Sequence, residues 1–140
     1  MAIFRITRRI EFGDTDMAGI VHFANFFRFM ESAECAFLRS RGLSVKLDWE
    51  GLALGFPRVS ATCDYVSPAR FEDVLDISVS IERIGTKSVA YGFEFNRDSV
   101  LIARGKVTSV CCDVGADKRI ESIAIPESYR ARLLADTKAP

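Results

Sequence analysis

Between Gly13 and Asn25 the chain reads GDTDMAGIVHFAN, which brings two carboxylates, Asp14 and Asp16, close to the chain's single histidine, His22. Carboxylates act as nucleophiles, general bases or ligands for hard cations, and an imidazole exchanges protons near neutral pH. A divalent ion generally takes six or more oxygens, so D-x-D alone makes a thin site. No metal is expected, and Asp14 is read as structural. Asp16 and His22 are the candidate catalytic side chains. Each also has an ordinary reading: an Asp in a turn commonly accepts from neighbouring backbone N–H groups, and a His at a helix entrance is commonly packed and hydrogen-bonded. Gly19 marks a point where the backbone needs a conformation, or a close approach, barred to other residues.

The elements on either side explain why this segment is a junction. Phe4, Ile6, Ile10 and Phe12 alternate with Arg5, Thr7, Arg9 and Glu11, the period of a half-buried strand. From Asn25 the period becomes helical: Phe26, Met30, Ala33 and Phe37 share a face, with Phe29 and Ala36 beside them. The pattern predicts a helix from about Asn25 to Arg41, with Asn25 as N-cap and Gly42 as terminator. Phe27 and Leu38 widen its apolar arc, so it should be enclosed on more than one side. A helix N-terminus carries N–H groups without intrahelical acceptors and favours a carbonyl oxygen or oxyanion. The acidic loop leads straight into that position.

Beyond the helix, Ser44 to Gly55 has no sustained period and reads as a loop with a short helical turn. Four strands should follow. Val59, Ala61, Cys63 and Tyr65 alternate in the first, which ends at the break SPARFED. Leu75, Ile77, Val79 and Ile81 alternate strictly with Asp76, Ser78, Ser80 and Glu82 in the second. Val89, Tyr91, Phe93 and Phe95 mark the third, NRDS the hairpin, and Val100 to Asp113 the fourth. Pro126 and Glu127 open a short C-terminal helix. One strand, one long helix and an antiparallel meander define an α+β class with a single domain over 1–140. A single sheet with one helix leaves an edge and a face uncovered, which predicts self-association.

Composition narrows the function classes. The 140 residues are 49% hydrophobic, include eleven Phe, and carry 19 basic and 19 acidic side chains. Zero formal net charge gives no sequence-wide case for nucleic acid, whose non-specific affinity comes from many phosphate contacts. The cysteines at 35, 63, 111 and 112 show neither zinc spacing nor a disulfide framework, and are read as reduced thiols of a cytoplasmic protein. Arg5, Arg8 and Arg9 interrupt the first residues, so no secretory leader is expected there. No run approaches the roughly 20 apolar residues of a membrane span.

The run IEFGDTDMAGIVHFANFFRFMESAE, Ile10 to Glu34, resembles the opening of the 4-hydroxybenzoyl-CoA thioesterase family of hotdog-fold proteins. That pattern is a strand, then G-D-x-D-x-x-G-[IV]-V, then an aromatic pair and the central helix; Gly13, Asp14, Asp16, Gly19, Ile20 and Val21 fit it position by position. The resemblance implies a hotdog fold, an antiparallel sheet wrapped around one long central helix, and hydrolysis of an acyl-CoA thioester without metal or redox cofactor. It makes Asp16 the nucleophile or general base, with backbone N–H groups around Phe23 and Ala24 polarising the thioester carbonyl. An Asp is ordinarily too acidic, with a reference pKa near 3.9, to be a good base for water, so direct attack, or base action helped by tight positioning, is favoured. Phe23, Phe26 and Phe27 would wall an acyl pocket beside Gly19.

The chain also departs from that pattern. Where relatives often carry Tyr or Trp, or a Tyr-His pair, it has His22 followed by Phe23. The turn that holds coenzyme A phosphates in some relatives reads RIGTKS here, leaving Arg83 and Lys87 as candidate contacts. The resemblance further implies a homodimer or homotetramer with sites between subunits. Two other readings remain open: a non-catalytic acyl-CoA-binding module, and a hotdog hydratase or dehydratase in which Asp16 and His22 act together.

Overall fold

The structure is a computed structural model and describes residues 3–115, 117 and 119–135. The remaining positions of the expected 1–140 domain lie outside the described residues. The first strand, β1 (Phe4–Arg9), leads through a short 3-10 turn (Phe12–Asp14) and a loop into helix α1 (Asn25–Ser40). Strands β2 (Lys46–Trp49), β3 (Leu52–Gly55), β4 (Arg58–Tyr65), β5 (Val74–Ile84), β6 (Ser88–Arg97), β7 (Val100–Val110), β8 (Cys112–Asp113) and β9 (Glu121–Ser122) follow, then helix α2 (Glu127–Leu134). The principal sheet is antiparallel, in the order β1-β5-β6-β7-β4. Among the described residues neither helix is long and apolar enough to cross a membrane.

Strand β5 shows why the sheet forms where it does. Leu75, Ile77, Val79 and Ile81 are buried while Asp76 and Glu82 are exposed, as the two-residue period of a strand with one covered face requires. Their cover is α1, which buries Phe26, Phe29, Met30, Ala33, Phe37 and Leu38. Burying each large apolar side chain stabilises the fold by about 1.5–3 kcal/mol. The Met30 side chain of α1 lies so close to β7 that a Cβ at Gly105 would collide with its sulfur, so any side chain here would force buried Met30 to move.

Three expectations need correction, and one strand is more exposed than its neighbours. The segment 44–55 is a hairpin, β2 with β3, closed by Trp49↔Leu52 across Glu50 and Gly51, both at positive φ (49° and 80°). That is the two-residue hairpin turn whose twist suits paired strands. The fourth meander strand is divided at Cys111, where the chain leaves the principal sheet for a second, four-stranded sheet, β2-β3-β8-β9, instead of completing one sheet. Asn25 is the first helical residue, not the cap; the N-cap is Ala24, without a side-chain hydrogen bond. Strand β4 forms where expected and is exposed along most of its length, with Val59 62% and Tyr65 47% accessible. Alternation records two unlike faces, and on this edge strand the described chain covers one of them only in part, at Cys63 and at the Tyr65 ring.

Candidate active site

The loop before α1 is closed by its own backbone. Thr15 and Val21 form an antiparallel bridge, the Asp16 N–H donates to Ile20 O (2.9 Å), and the Gly19 N–H donates to Asp16 O (3.0 Å). Gly19 sits at φ 78°, in the left-handed region that favours a residue without Cβ. A further bond, Val21 N–H to Ala69 O (2.8 Å), ties the loop to the segment after β4.

The two aspartates are treated differently. Asp14 accepts from Arg8 Nη2 through both carboxylate oxygens (3.1 and 3.0 Å) and from the Glu11 N–H (2.8 Å), so it is spent on holding β1 to the loop. Asp16 accepts one bond, from the Ala18 N–H to Oδ1 (2.9 Å). This is the local pattern expected of an Asp in a turn, and among the described residues it leaves Oδ2 without a protein donor. Asp16 lines a cavity of about 520 Å³ whose other walls are Ile20, Val21, Phe23, Phe26 and the segment Tyr65 to Ala69. The lining is largely apolar, with the carboxylate among its few polar groups.

At the helix entrance the peptide groups are sorted. The His22 N–H donates to Asp14 O (2.9 Å), and His22 O accepts from the Asn25 N–H (2.9 Å). The Asn25 side chain donates through Nδ2 to Asp14 O (2.8 Å), a bridge from helix to loop that takes the place of a cap. The Ala24 N–H is engaged by His22 Nδ1 (3.2 Å), so the imidazole accepts there and any proton of the neutral ring is on Nε2. The Phe23 N–H has no acceptor among the described residues. A planar peptide points its N–H opposite to its C=O. With His22 O turned into the helix, the Phe23 N–H is turned away from it.

The structure therefore brings Asp16, Phe23 and Phe26 to one cavity and leaves the other candidates off its lining. Gly19 shapes the loop. His22 is exposed, stacked on Phe23 at 4.6 Å between ring centroids. Phe27 faces a separate cavity with Glu34 and Arg58. Arg83 is exposed on β5 near its bulge, and exposed Lys87, in the following turn, reaches Ser122 Oγ at 3.4 Å. Sequence reasoning missed the far wall, Tyr65 to Ala69. Its signal was an aromatic residue at the end of a strand running into the Pro-containing break. Tyr65 packs edge-on against Phe26 (5.4 Å), and its hydroxyl donates to Phe23 O (2.9 Å). Desolvation, with the neighbouring Cys63 thiol, raises the pKa of that hydroxyl.

Comparison with known proteins bears on the family and the fold. The family model described as the thioesterase-like superfamily matches residues 10–133. A 4-hydroxybenzoyl-CoA thioesterase from Pseudomonas sp. strain CBS-3 is 31% identical over 132 residues, covering 87% of this chain and 91% of that protein. The acyl-CoA thioester hydrolase YbgC of Escherichia coli is 30% identical over 131 residues, covering 92% and 94%. Among solved structures, a 4-hydroxybenzoyl-CoA thioesterase mutant complexed with 4-hydroxybenzoyl-CoA superposes with a TM-score of 0.81 at 27% identity, covering 94% of this chain and 98% of that one. With a family match from the end of the first strand to the C-terminal helix, the chain belongs to the thioesterase-like superfamily.

Proposed function

We propose that this protein hydrolyses an acyl-CoA thioester to the free acid and coenzyme A, and that Asp16 carries the reaction. The observation behind this reading is the pairing, around one apolar cavity, of a carboxylate with an unengaged oxygen and the Phe23 segment with its unengaged N–H. The names of the relatives supply the substrate class. In the favoured course an Asp16 oxygen attacks the thioester carbon, the carbonyl oxygen takes up negative charge beside the Phe23 N–H, and the coenzyme A thiolate leaves. Water then cleaves the mixed anhydride, returning the Asp16 carboxylate, and the proton released goes to the thiolate. As general base, Asp16 would take a proton from the attacking water and return it to the same leaving group. A donor aimed at the developing oxyanion contributes about 2.7–4 kcal/mol. With Ala24 engaged by His22, Phe23 is the better candidate for that donor.

The active form in this reading is a homodimer or a dimer of dimers, with α1 as the central helix of each subunit. The exposed edge strand β4, with Val59 and Tyr65 accessible, supports association there, because an uncovered apolar edge is a template for a further strand. The test is release of thiol from a panel of aromatic, short and long acyl-CoAs. Hydrolysis of one group by the wild type, and its loss in Asp16→Asn, is the expected result. Saturable acyl-CoA binding with no thiol release would overturn the catalytic reading in favour of a binding module.

A further inference from the structure

The peptide group that follows Phe23 is held at both of its polar atoms, and one of the two holds comes from a strand distant in sequence. Its carbonyl accepts the Tyr65 hydroxyl at 2.9 Å, while the N–H of the same peptide group, that of Ala24, is held by His22 Nδ1. Phe23 itself is 62% exposed and has its ring stacked only on His22 among the described aromatic contacts, so little apolar burial fixes it. Tyr65 is well placed to supply the missing rigidity. It lies on β4, paired with Ala103 of β7, and its ring leans on Phe26, which in turn packs against Phe29 and Phe95 of the core.

We propose that Tyr65 is a positioning residue: its hydroxyl tethers the Phe23 carbonyl and thereby holds the adjoining Phe23 amide in the orientation that receives the thioester oxygen. The inference rests on the acyl-thioester reading for what the amide receives, while the tether itself rests on geometry alone. Amides stabilise a developing oxyanion because they are aimed before the charge appears. A residue with freer φ and ψ loses that aim, and small misplacements cost large factors in rate. Tyr65 does not touch the reacting atoms in this account; it acts through Phe23.

Tyr65→Phe keeps the ring against Phe26 and removes only the hydroxyl. In a thiol-release assay with the best acyl-CoA of the panel, kcat should fall about tenfold while KM stays within about twofold, the split expected when aim rather than ground-state binding is lost. The thermal midpoint should not move. Carbon-13 NMR should show the Phe23 carbonyl resonance shifted upfield by the loss of its hydrogen bond. Wild-type kcat in Tyr65→Phe, an unshifted Phe23 carbonyl, or a fall in activity that tracks a fall in thermal stability would each overturn the proposal. If the wild-type protein releases thiol from no acyl-CoA, the hydrolase reading falls by itself, and the carbonyl resonance alone decides whether the tether exists.

Discussion

The two ends of α1 are built on opposite terms. At the C-terminal end Gly42, at φ 71°, donates its N–H to Arg39 O (3.0 Å), and the Leu43 N–H donates to Leu38 O (2.8 Å), the paired closure that satisfies the last carbonyls. Arg39 stands in the last turn, where a cation is favoured. The N-terminal end has Ala24 in the cap position with no side-chain acceptor, and an exposed Phe23 whose N–H is unengaged among the described residues. A helix finished at one end and unfinished at the other has its stability and its binding capacity in different places. Mutations at the two ends should therefore separate activity from stability.

Asp16→Asn should have the largest effect. Loss of a nucleophile or general base beside the open end should lower kcat by about a hundred- to ten-thousandfold, with the thermal midpoint in place; thiol release and thermal melting measured together decide it. Gly42→Ala should do the reverse. A Cβ there meets left-handed strain and lies 3.0 Å from Arg132 Nη1, so stability should fall by about 1–2 kcal/mol in urea unfolding while kcat is retained. Asn25→Ala, which cuts the bridge to Asp14 O, should fall between them: a loss of about 0.5–1 kcal/mol in the same unfolding experiment, with turnover reduced by less than about tenfold.

Midway along the helix, Glu34 is buried beside Arg58 (2.8 Å) and gives the smallest expected change. Burial raises its carboxyl pKa by more than Arg58 lowers it. The folded chain thus holds this proton more tightly than the unfolded one. The resulting stability is complete below the ordinary Glu range near 4.3 and is lost as pH rises through the folded value. Glu34→Gln should be within about 1 kcal/mol of wild type at neutral pH and show a flatter stability profile between acid and neutral pH. Urea midpoints measured across that range would check it, and a large loss on Glu34→Gln would mean that the charged pair itself holds the helix.

What could be read from the sequence follows from what each signal measures. The strict alternation of Leu75 to Ile81 fixed both strand and buried face, because the α1 stripe from Phe26 to Phe37 supplied its cover. The same alternation in β4 gave the strand but not its burial, since cover is a property of the neighbour. The β2–β3 hairpin was hidden because its turn uses Glu-Gly, where Asn-Gly or Asp-Gly would have announced two residues at positive φ. At the site, the spacing of Gly13, Asp14, Asp16 and Gly19 was visible. The partners that tell the two aspartates apart were not: Arg8 reaches Asp14 from the preceding strand, and the wall from Tyr65 to Ala69 arrives from a distant one.

The missing side chain at Gly105 bears on how such a groove can vary. Met30 occupies the space a methyl group would need, so its side chain lies directly against the β7 backbone, about one and a half turns from the start of α1. Enlarging position 105 would drive the Met30 side chain out of its place in the core, so changes to the volume of the cavity beside Asp16 are better sought at its own rim residues, away from this contact.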